Sequence, residues 1–221
     1  SYAMYNASNS PLAGAASWFV ENGTITSTGL FTPFTIGIWN LSTCFGVVCE
    51  IISVTVTPGT PVVHVVSPTI VQITADQTLD IEVWVYDANG NQVQGQSITF
   101  STTNGTLSQL SPPISQNNSP NELWNFSPWN SGNQVISVVW NGVTNYVNVS
   151  VSVGEAAYFE LSGCDSTSAG EICQVSWSLH DQNGNLLEDS AAGAMSWHIT
   201  DGNITQTGEY HADKVGTWWI N

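Results

Sequence analysis

Two short acidic motifs contain the residues of this chain that are best suited to binding chemistry. Asp87-Ala-Asn-Gly-Asn91 and Asp181-Gln-Asn-Gly-Asn185 each combine a carboxylate with side-chain amides over five positions. Such stretches can bind calcium, but a helix-loop-helix calcium site needs further carboxylates at fixed spacing and a closing glutamate. An Asx turn, with glycine at positive φ, accounts for the same residues. We predict hairpin turns without a metal, and the alternative is a calcium site made by Asp181, Asn183 and Asn185.

The histidines and paired carboxylates do not form a pattern typical of an active site. Catalysis by a nucleophile needs a base within hydrogen-bond reach and a third group that orients the base. No histidine has a serine, cysteine or acidic partner at a recognisable catalytic spacing, and the paired carboxylates lie in predicted turns. We therefore expect no enzyme activity and no cofactor. The residues concerned are His64, His180, His198 and His211, with Glu188/Asp189 and Asp201/Glu209.

Four cysteines occur as two close pairs, Cys44 with Cys49 and Cys164 with Cys173. The absence of a Cys-x-x-Cys motif and the scarcity of histidine argue against a zinc site. We predict two local disulfides, which indicate an oxidising compartment.

Sequons for N-glycosylation are spread along the chain. Asn125 begins one that is followed by Pro128, which disfavours its use. Sequons of this kind are consistent with a glycan-bearing exterior, and we predict covalent N-glycans. The other candidate sites are Asn6, Asn22, Asn40, Asn104, Asn117, Asn148 and Asn203.

The charge balance is strongly acidic. The chain has 17 Asp and Glu residues but one basic residue, Lys214, which gives a formal charge of −16. Such a chain repels phosphate backbones, so nucleic-acid binding is excluded. Charged residues make up only 8% of the sequence, so its surface must be wetted mainly by hydroxyl and amide groups. No apolar run is long enough to span a bilayer. We expect an extracellular or cell-surface protein.

Ten tryptophans could stack on carbohydrate or fill a core. Trp18 and Trp197 occupy repeated positions, which favours the core. Trp84, Trp140 and Tyr86 are the residues that we predict could make a surface contact with a protein or a glycan.

Internal repetition is the main organising feature of the sequence. The stretch from Ser17 to Asn40 aligns without a gap with the stretch that begins at Ser196, so that Trp18 matches Trp197 and Trp39 matches Trp218. A looser third copy lies between them. There, Phe100 to Leu107 and Phe126 to Gly132 match the two halves of the first stretch.

The copies have the two-residue period of half-buried strands. Apolar and outward residues alternate over Leu79–Tyr86, Ile52–Thr57 and Val147–Val153, and Asn-Gly steps between strands favour tight turns. No stretch has a convincing helical period. We predict an all-β fold.

The repeats predict tandem immunoglobulin-like β-sandwiches. One complete domain is expected over 61–154, which is roughly the size of a seven-stranded sandwich of about 100 residues. Partial domains are expected over 1–60, with C-terminal strands, and over 155–221, with N-terminal strands. The chain is then expected to be a window of a longer array, or a subunit whose partial domains are completed by neighbours. In this alignment, Cys44 and Cys49 straddle the turn equivalent to Asn141-Gly142.

The stretch from Asp87 to Phe100, DANGNQVQGQSITF, resembles the bacterial immunoglobulin-like repeats of the invasin and intimin type, with their D-x-x-G-N-x-V-x-G turn. The third copy keeps the first half of this turn but has Leu187 and Asp189 in place of the valine and the second glycine. In the first copy Asn6 replaces the aspartate. The segments around Trp18 and Trp197 also resemble immunoglobulin-like arrays of archaeal surface and filament proteins. This resemblance implies stalks, surface layers, adhesins or filaments, and no catalysis.

These features together predict a structural subunit or segment of an extracellular filament or cell-surface stalk. A sandwich that lacks a strand exposes a groove and an unpaired edge, which strand addition can fill. We therefore expect partners that are copies of the chain or neighbouring repeats, joined by strand exchange. The alternative is an adhesin or carbohydrate-binding module that acts through Trp84 or Trp140.

Overall fold

The computed structural model describes residues 5, 8–10, 15–111, 119–188 and 196–220. These described residues form strands and turns and contain no helix, and so none that is long and apolar enough to cross a membrane. The all-β prediction is confirmed.

Nineteen strands follow one another along the described residues. The first repeat has β1 Ser17–Val20, β2 Thr24–Ile25, β3 Phe31–Thr32, β4 Gly37–Phe45 and β5 Val48–Val56. The middle repeat has β6 Pro61–Ser67, β7 Ile70–Thr74, β8 Leu79–Asp87, β9 Thr99–Thr102, β10 Thr106–Ser111, β11 Glu122–Ser127, β12 Gly132–Trp140 and β13 Val143–Ser152. The third repeat has β14 Ala156–Ser162, β15 Ile172–Gln174, β16 Ser176–Asp181, β17 Leu186–Leu187, β18 Asn203–Ile204 and β19 Glu209–His211.

The middle repeat is a two-sheet immunoglobulin-like sandwich. One sheet has the order β10-β11-β8-β6 and the other has the order β7-β13-β12-β9, in which β7 pairs with β13 in parallel. Alternate residues of both sheets form the core, because the strand period sends every second side chain to one face. Burial of each such side chain stabilises the fold by about 1.5–3 kcal/mol. The apolar strand residues of this core that are between 0% and 4% exposed are Val66, Ile81, Val83, Val85, Phe126, Ile136, Val138, Val147, Val149 and Val151.

The first repeat has a counterpart of the β7-β13-β12-β9 sheet. Its strands have the order β1-β4-β5, in which β1, β4 and β5 correspond to β9, β12 and β13. Ser17 pairs with Cys44 in it, as Thr99 pairs with Val139 in the middle repeat. Among the described residues no strand pairs with the outer edge of β5, whereas β7 covers the corresponding edge of β13. That this repeat is a partial sandwich remains a prediction from the sequence.

The third repeat has a counterpart of the β10-β11-β8-β6 sheet. It is divided into two pieces, with the orders β14-β16-β17 and β15-β19-β18. A small core of Val175, Tyr210 and Ala212 holds these pieces. The described residues of this repeat form no strands equivalent to β12 and β13.

The ungapped alignment of the tryptophan segments is reproduced in the backbone. In the first repeat Thr24 pairs with Thr32 across β2 and β3, and in the third Asn203 pairs with His211 across β18 and β19. The middle repeat has the same pairing of β10 with β11, where Thr106 faces Ser127. Each of the three copies therefore contains the same pair of strands in the same register.

Spatial proximity divides the chain into two compact units that do not coincide with the repeats. The described residues of Ser1–Val65, Val83–Ser97 and Pro112–Glu122 form one unit, and those of Val66–Glu82, Ile98–Ser111 and Leu123–Asn221 form the other. The domain limits at 60 and 154 remain predictions from the sequence.

Candidate functional site

The Asp87 loop is a hydrogen-bonded turn built around one carboxylate. Asp87 Oδ1 accepts from the backbone N–H of Asn89 at 2.9 Å and of Asn91 at 2.8 Å. Asp87 Oδ2 accepts from the Asn91 side chain at 3.0 Å and from the N–H of Gly59 at 2.8 Å. Gly90, at φ +79°, supplies the left-handed conformation that the turn requires.

The same loop also contacts the first repeat. Asn91 Nδ2 donates to the carbonyl of Phe34 at 3.1 Å, and the N–H of Ile36 donates to Asn91 Oδ1 at 3.3 Å. Gly59 lies in the segment between β5 and β6. We call this segment the linker. Asp87 therefore binds the linker, and Asn91 binds the preceding repeat.

The Asp181 loop repeats this arrangement at the next junction. Asp181 Oδ1 accepts from the N–H of Asn183 at 2.9 Å and of Asn185 at 2.8 Å, and Oδ2 accepts from the Asn185 side chain at 2.8 Å. The N–H of Gly154, in the segment between β13 and β14, donates to Oδ2 at 2.9 Å.

Asn185 reaches the middle repeat as Asn91 reaches the first. Its Nδ2 donates to the carbonyl of Trp129 at 3.4 Å, and the N–H of Ser131 donates to its Oδ1 at 2.8 Å. The two loops therefore share these contacts at corresponding positions, and at the second junction the Asn183 side chain also donates to the Ala75 carbonyl.

Both carboxylates are buried and remain charged in this setting. Asp87 is 5% exposed and Asp181 is 1% exposed. Burial raises the pKa of each carboxyl, but the hydrogen bonds from the linker glycine and from the loop asparagines outweigh burial and leave each pKa below its ordinary value. At Asp181 these donors are Gly154, Asn185 and Asn183. Such hydrogen bonds favour the anion because all of them donate to it.

The geometry of the Asp181 loop favours a hydrogen-bonded turn over the calcium alternative. Asp181, Asn183 and Asn185 do lie together, but both Asp181 carboxylate oxygens face N–H donors, which carry partial positive charge. A cation prefers oxygen ligands in that position. Asn185 Oδ1 is likewise bonded to a backbone N–H. No cluster of three or more acidic, histidine or cysteine side chains suited to a metal occurs among the described residues.

The cysteines form disulfides within the first and third repeats. Cys44 and Cys49 face each other across the β4–β5 hairpin, and their turn corresponds to the Asn141-Gly142 turn of β12 and β13. Cys164 and Cys173 close the loop between β14 and β15.

The sequons differ in their surroundings. Asn40, Asn148 and Asn203 are exposed on strands, and Asn148 points outward from β13 as the alternation predicts. Asn22 and Asn104 are half-buried and use Oδ1 as an acceptor, for the N–H of Thr35 and for the side chain of Asn130 respectively. Asn6 and Asn117 lie outside the described residues. Glycan attachment at these positions remains a prediction.

The predicted aromatic contact surface requires a correction. Trp140 is only 6% exposed and points inward, in phase with Ile136 and Val138. The prediction was wrong because β12 has apolar residues in both phases, so alternation does not show which face is buried. Trp84 and Tyr86 are half-buried on β8.

One pair of potentially reactive side chains was not predicted from the sequence. Ser178 Oγ lies 2.8 Å from His180 Nε2, and His180 Nδ1 lies 3.2 Å from the Gly184 carbonyl. The two residues are two positions apart on β16 and therefore share a face, which is the signal that could have revealed them. The His180 ring stacks on Tyr158 at 5.3 Å between centroids, so the pair is held on the strand surface.

Comparison with known proteins finds similarity to solved structures only. No family model matches it, and no curated protein matches it. Domains 4–9 of the surface-layer protein SbsC match at 21% identity with a TM-score of 0.38, over 92% of this chain and 34% of that one. Invasin, described as a bacterial integrin-binding protein, matches at 18% with a TM-score of 0.41, over 99% of this chain and 51% of that one.

The Escherichia coli adhesin FdeC matches at 17% identity with a TM-score of 0.49, over 97% of this chain and 83% of that one. This chain therefore spans about a third of the SbsC structure and about half of the invasin structure. At such identities and scores, the fold assignment rests on the strand topology itself.

Proposed function

We propose that this chain is a structural segment of an extracellular filament or cell-surface stalk, in which the partial sandwiches are completed by strands from another copy. The observation that carries the proposal is a contrast in burial. Among the described residues, core positions of the middle repeat are buried, whereas the corresponding positions of the first and third repeats are exposed.

The open face of the first repeat lies along β5. Ile52 is 57% exposed there, whereas Val147 at the corresponding position of β13 is fully buried. Val54 and Val56, which follow on the same face, are half-buried. An apolar row beside an unpaired backbone edge is the arrangement to which an added strand binds.

The open face of the third repeat lies along β14. Phe159 is 53% exposed, whereas His64 at the corresponding position of β6 is 5% exposed. A cavity of about 500 Å³ opens beside the small core of this repeat, with Tyr210, Trp218 and Ile220 in its lining.

The charge, the disulfides and the exposed sequons favour a location outside the cell. A formal charge of −16 keeps copies apart except where specific contacts form, and disulfides persist in oxidising compartments. The exposed sequons at Asn40, Asn148 and Asn203 leave room for glycans. No second function is proposed, because Trp140 is buried and Trp84 is half-buried.

The test is self-association of the chain with a matched pair of substitutions on β5. Ile52→Asp places a charge on the open face, and Ile51→Asp places the same charge on the opposite face, where Ile51 is also exposed. We expect light scattering after size exclusion to show concentration-dependent assembly that Ile52→Asp abolishes and Ile51→Asp retains. A folded monomer at all concentrations, or equal effects of the two substitutions, contradicts the proposal.

A further inference from the structure

We propose that the Asp87 and Asp181 loops are couplings that hold each repeat in a fixed position on the preceding one. Each loop binds two things at once: the linker glycine, and a backbone turn of the preceding repeat that we call the socket turn. The socket turns are Phe34–Ile36 for the first coupling and Trp129–Ser131 for the second. This inference concerns joints within one chain and does not depend on assembly between copies.

Repetition of the whole bonding pattern is the main support. Both loops have the two backbone bonds to the aspartate Oδ1, the side-chain amide and linker bonds to Oδ2, and the two bonds to the socket turn. The backbone of each loop closes in the same way, with the Asn91 and Asn185 carbonyls accepting from the N–H of Asp87 and Asp181. A turn that served only to reverse the chain would not need the contacts to another repeat.

The socket turns share backbone geometry but not side chains. Phe34 and Ile36 correspond to Trp129 and Ser131, and in both cases the loop contacts a carbonyl and an N–H two residues apart. The coupling therefore recognises main chain, which leaves the socket sequence free to vary while the loop sequence stays fixed.

Asparagine is suited to this contact because a carboxamide has a donor and an acceptor on one planar group. Asn91 uses Nδ2 for the Phe34 carbonyl and Oδ1 for the Ile36 N–H, as a paired strand would. An aspartate at this position would place an oxygen against the carbonyl and against the Asp87 carboxylate. The chemistry thus requires the amide.

Aspartate orients that amide and binds the linker with the same oxygen. Asp87 Oδ2 accepts from both Asn91 Nδ2 and the Gly59 N–H. A Cβ at Gly59 would lie 3.3 Å from Asp87 Oδ2, and one at Gly154 would lie 3.3 Å from Asp181 Oδ2. The linker glycines therefore permit the close approach of the carboxylate.

Hydrogen bonds within the first repeat itself also hold the first socket turn. Thr35 N–H donates to Asn22 Oδ1 at 3.0 Å, and the Trp39 indole N–H donates to the Thr35 carbonyl at 2.9 Å. These bonds fix the central residue and leave the flanking carbonyl and N–H directed to the loop. Preorganisation of this kind reduces the entropy lost when the repeats dock.

The test compares two alanine substitutions in one loop. Asn91→Ala removes the bonds to the socket turn, whereas Asn89→Ala alters an exposed side chain two residues away and retains the backbone N–H that binds Asp87. We expect Asn91→Ala to speed amide hydrogen exchange at Ile36 and Gly59 by about tenfold, the effect of losing one hydrogen bond. Asn89→Ala should leave both rates unchanged, and Ser131 and Gly154 at the second coupling serve as internal controls.

Residual dipolar couplings give the second readout. We expect the first and middle repeats to share one alignment tensor in the parent chain and in Asn89→Ala, and to have different tensors in Asn91→Ala and in the isosteric Asn91→Asp. Retained protection at Val138 and Val149 shows that the middle repeat is folded in each variant. Unchanged exchange and a shared tensor in Asn91→Ala, or equal effects of Asn89→Ala, overturn the proposal.

Discussion

Gly105 lies in the turn before β10, and Gly23 and Gly202 lie in the corresponding turns before β2 and β18. Replacing Gly105 with alanine tests whether this turn needs close backbone packing or only a positive φ. Gly105 has φ +119°, and a Cβ there would lie 2.5 Å from Cε2 of Phe126 and 2.6 Å from the carbonyl oxygen of Ser127. The corresponding glycines are equally crowded, since a Cβ would lie 2.2 Å from a backbone oxygen at Gly23 and 2.1 Å at Gly202.

Two separate costs add at Gly105. A non-glycine residue in the positive-φ region loses roughly 1–2 kcal/mol, and displacement of well-packed neighbours such as the buried Phe126 adds about 1–3 kcal/mol. We expect Gly105→Ala to lower the free energy of unfolding of the middle repeat by about 2–5 kcal/mol. Gly132→Ala is the matched control, because Gly132 has φ +116° with no atom within 4 Å of its Cβ position. It should cost only about 1–2 kcal/mol.

Native-state hydrogen exchange is the suitable assay because a chain of several repeats does not unfold in one step. The amides of Val138 and Val149, at the centre of the middle repeat, report its unfolding free energy in each variant. Equal losses for Gly105→Ala and Gly132→Ala would refute the packing explanation. A loss below about 1 kcal/mol at Gly105 would refute both costs.

Four further outcomes are expected. The pKa of Asp87 in the folded chain lies below the usual value of about 3.9 for aspartate. The first coupling should therefore be unchanged from neutral pH down to about 3.9 and should open as the pH falls further. Loss of hydrogen-exchange protection at the linker amide at about pH 6 would contradict this. Calcium or a chelator should leave the amide spectrum of the Asp181 loop unchanged, and a saturable shift there would restore the calcium alternative. Replacing Cys44 and Cys49 together with serine should lower the unfolding free energy of the first repeat by about 2 kcal/mol, because the closed loop is short; a loss above 4 kcal/mol would point to a packing role. In protein from its native host, Asn148→Gln should remove the mass of one glycan, and an unchanged mass would show that this site is empty.

The strands and the repeat could be predicted from the sequence because both are local properties. The alternation over Leu79–Tyr86 and the ungapped match of Trp18 with Trp197 depend only on spacing along the chain. The hairpin closed by Cys44 and Cys49 followed from the same alignment.

The couplings could not be predicted because they join residues far apart in the sequence. The Asx turn of the Asp87 motif was evident, but nothing local indicates that Asn91 contacts Phe34 and Ile36. The inward position of Trp140 was missed for another reason: β12 is apolar in both phases, and only the second sheet decides which phase is buried.

The third repeat contains a socket turn of its own at Asp213–Val215. Lys214 N–H donates to Asp201 Oδ2 at 3.2 Å, and the Trp218 indole N–H donates to the Lys214 carbonyl at 3.0 Å, which is how Asn22 and Trp39 hold the first socket turn. Val215 is 93% exposed, and among the described residues no aspartate loop lies against it. A further module with the same loop would find this turn already held in the conformation that the first socket turn has, with the Lys214 ammonium 3.6 Å from the Asp201 carboxylate. Growth of such an array would need no rearrangement of the module added before.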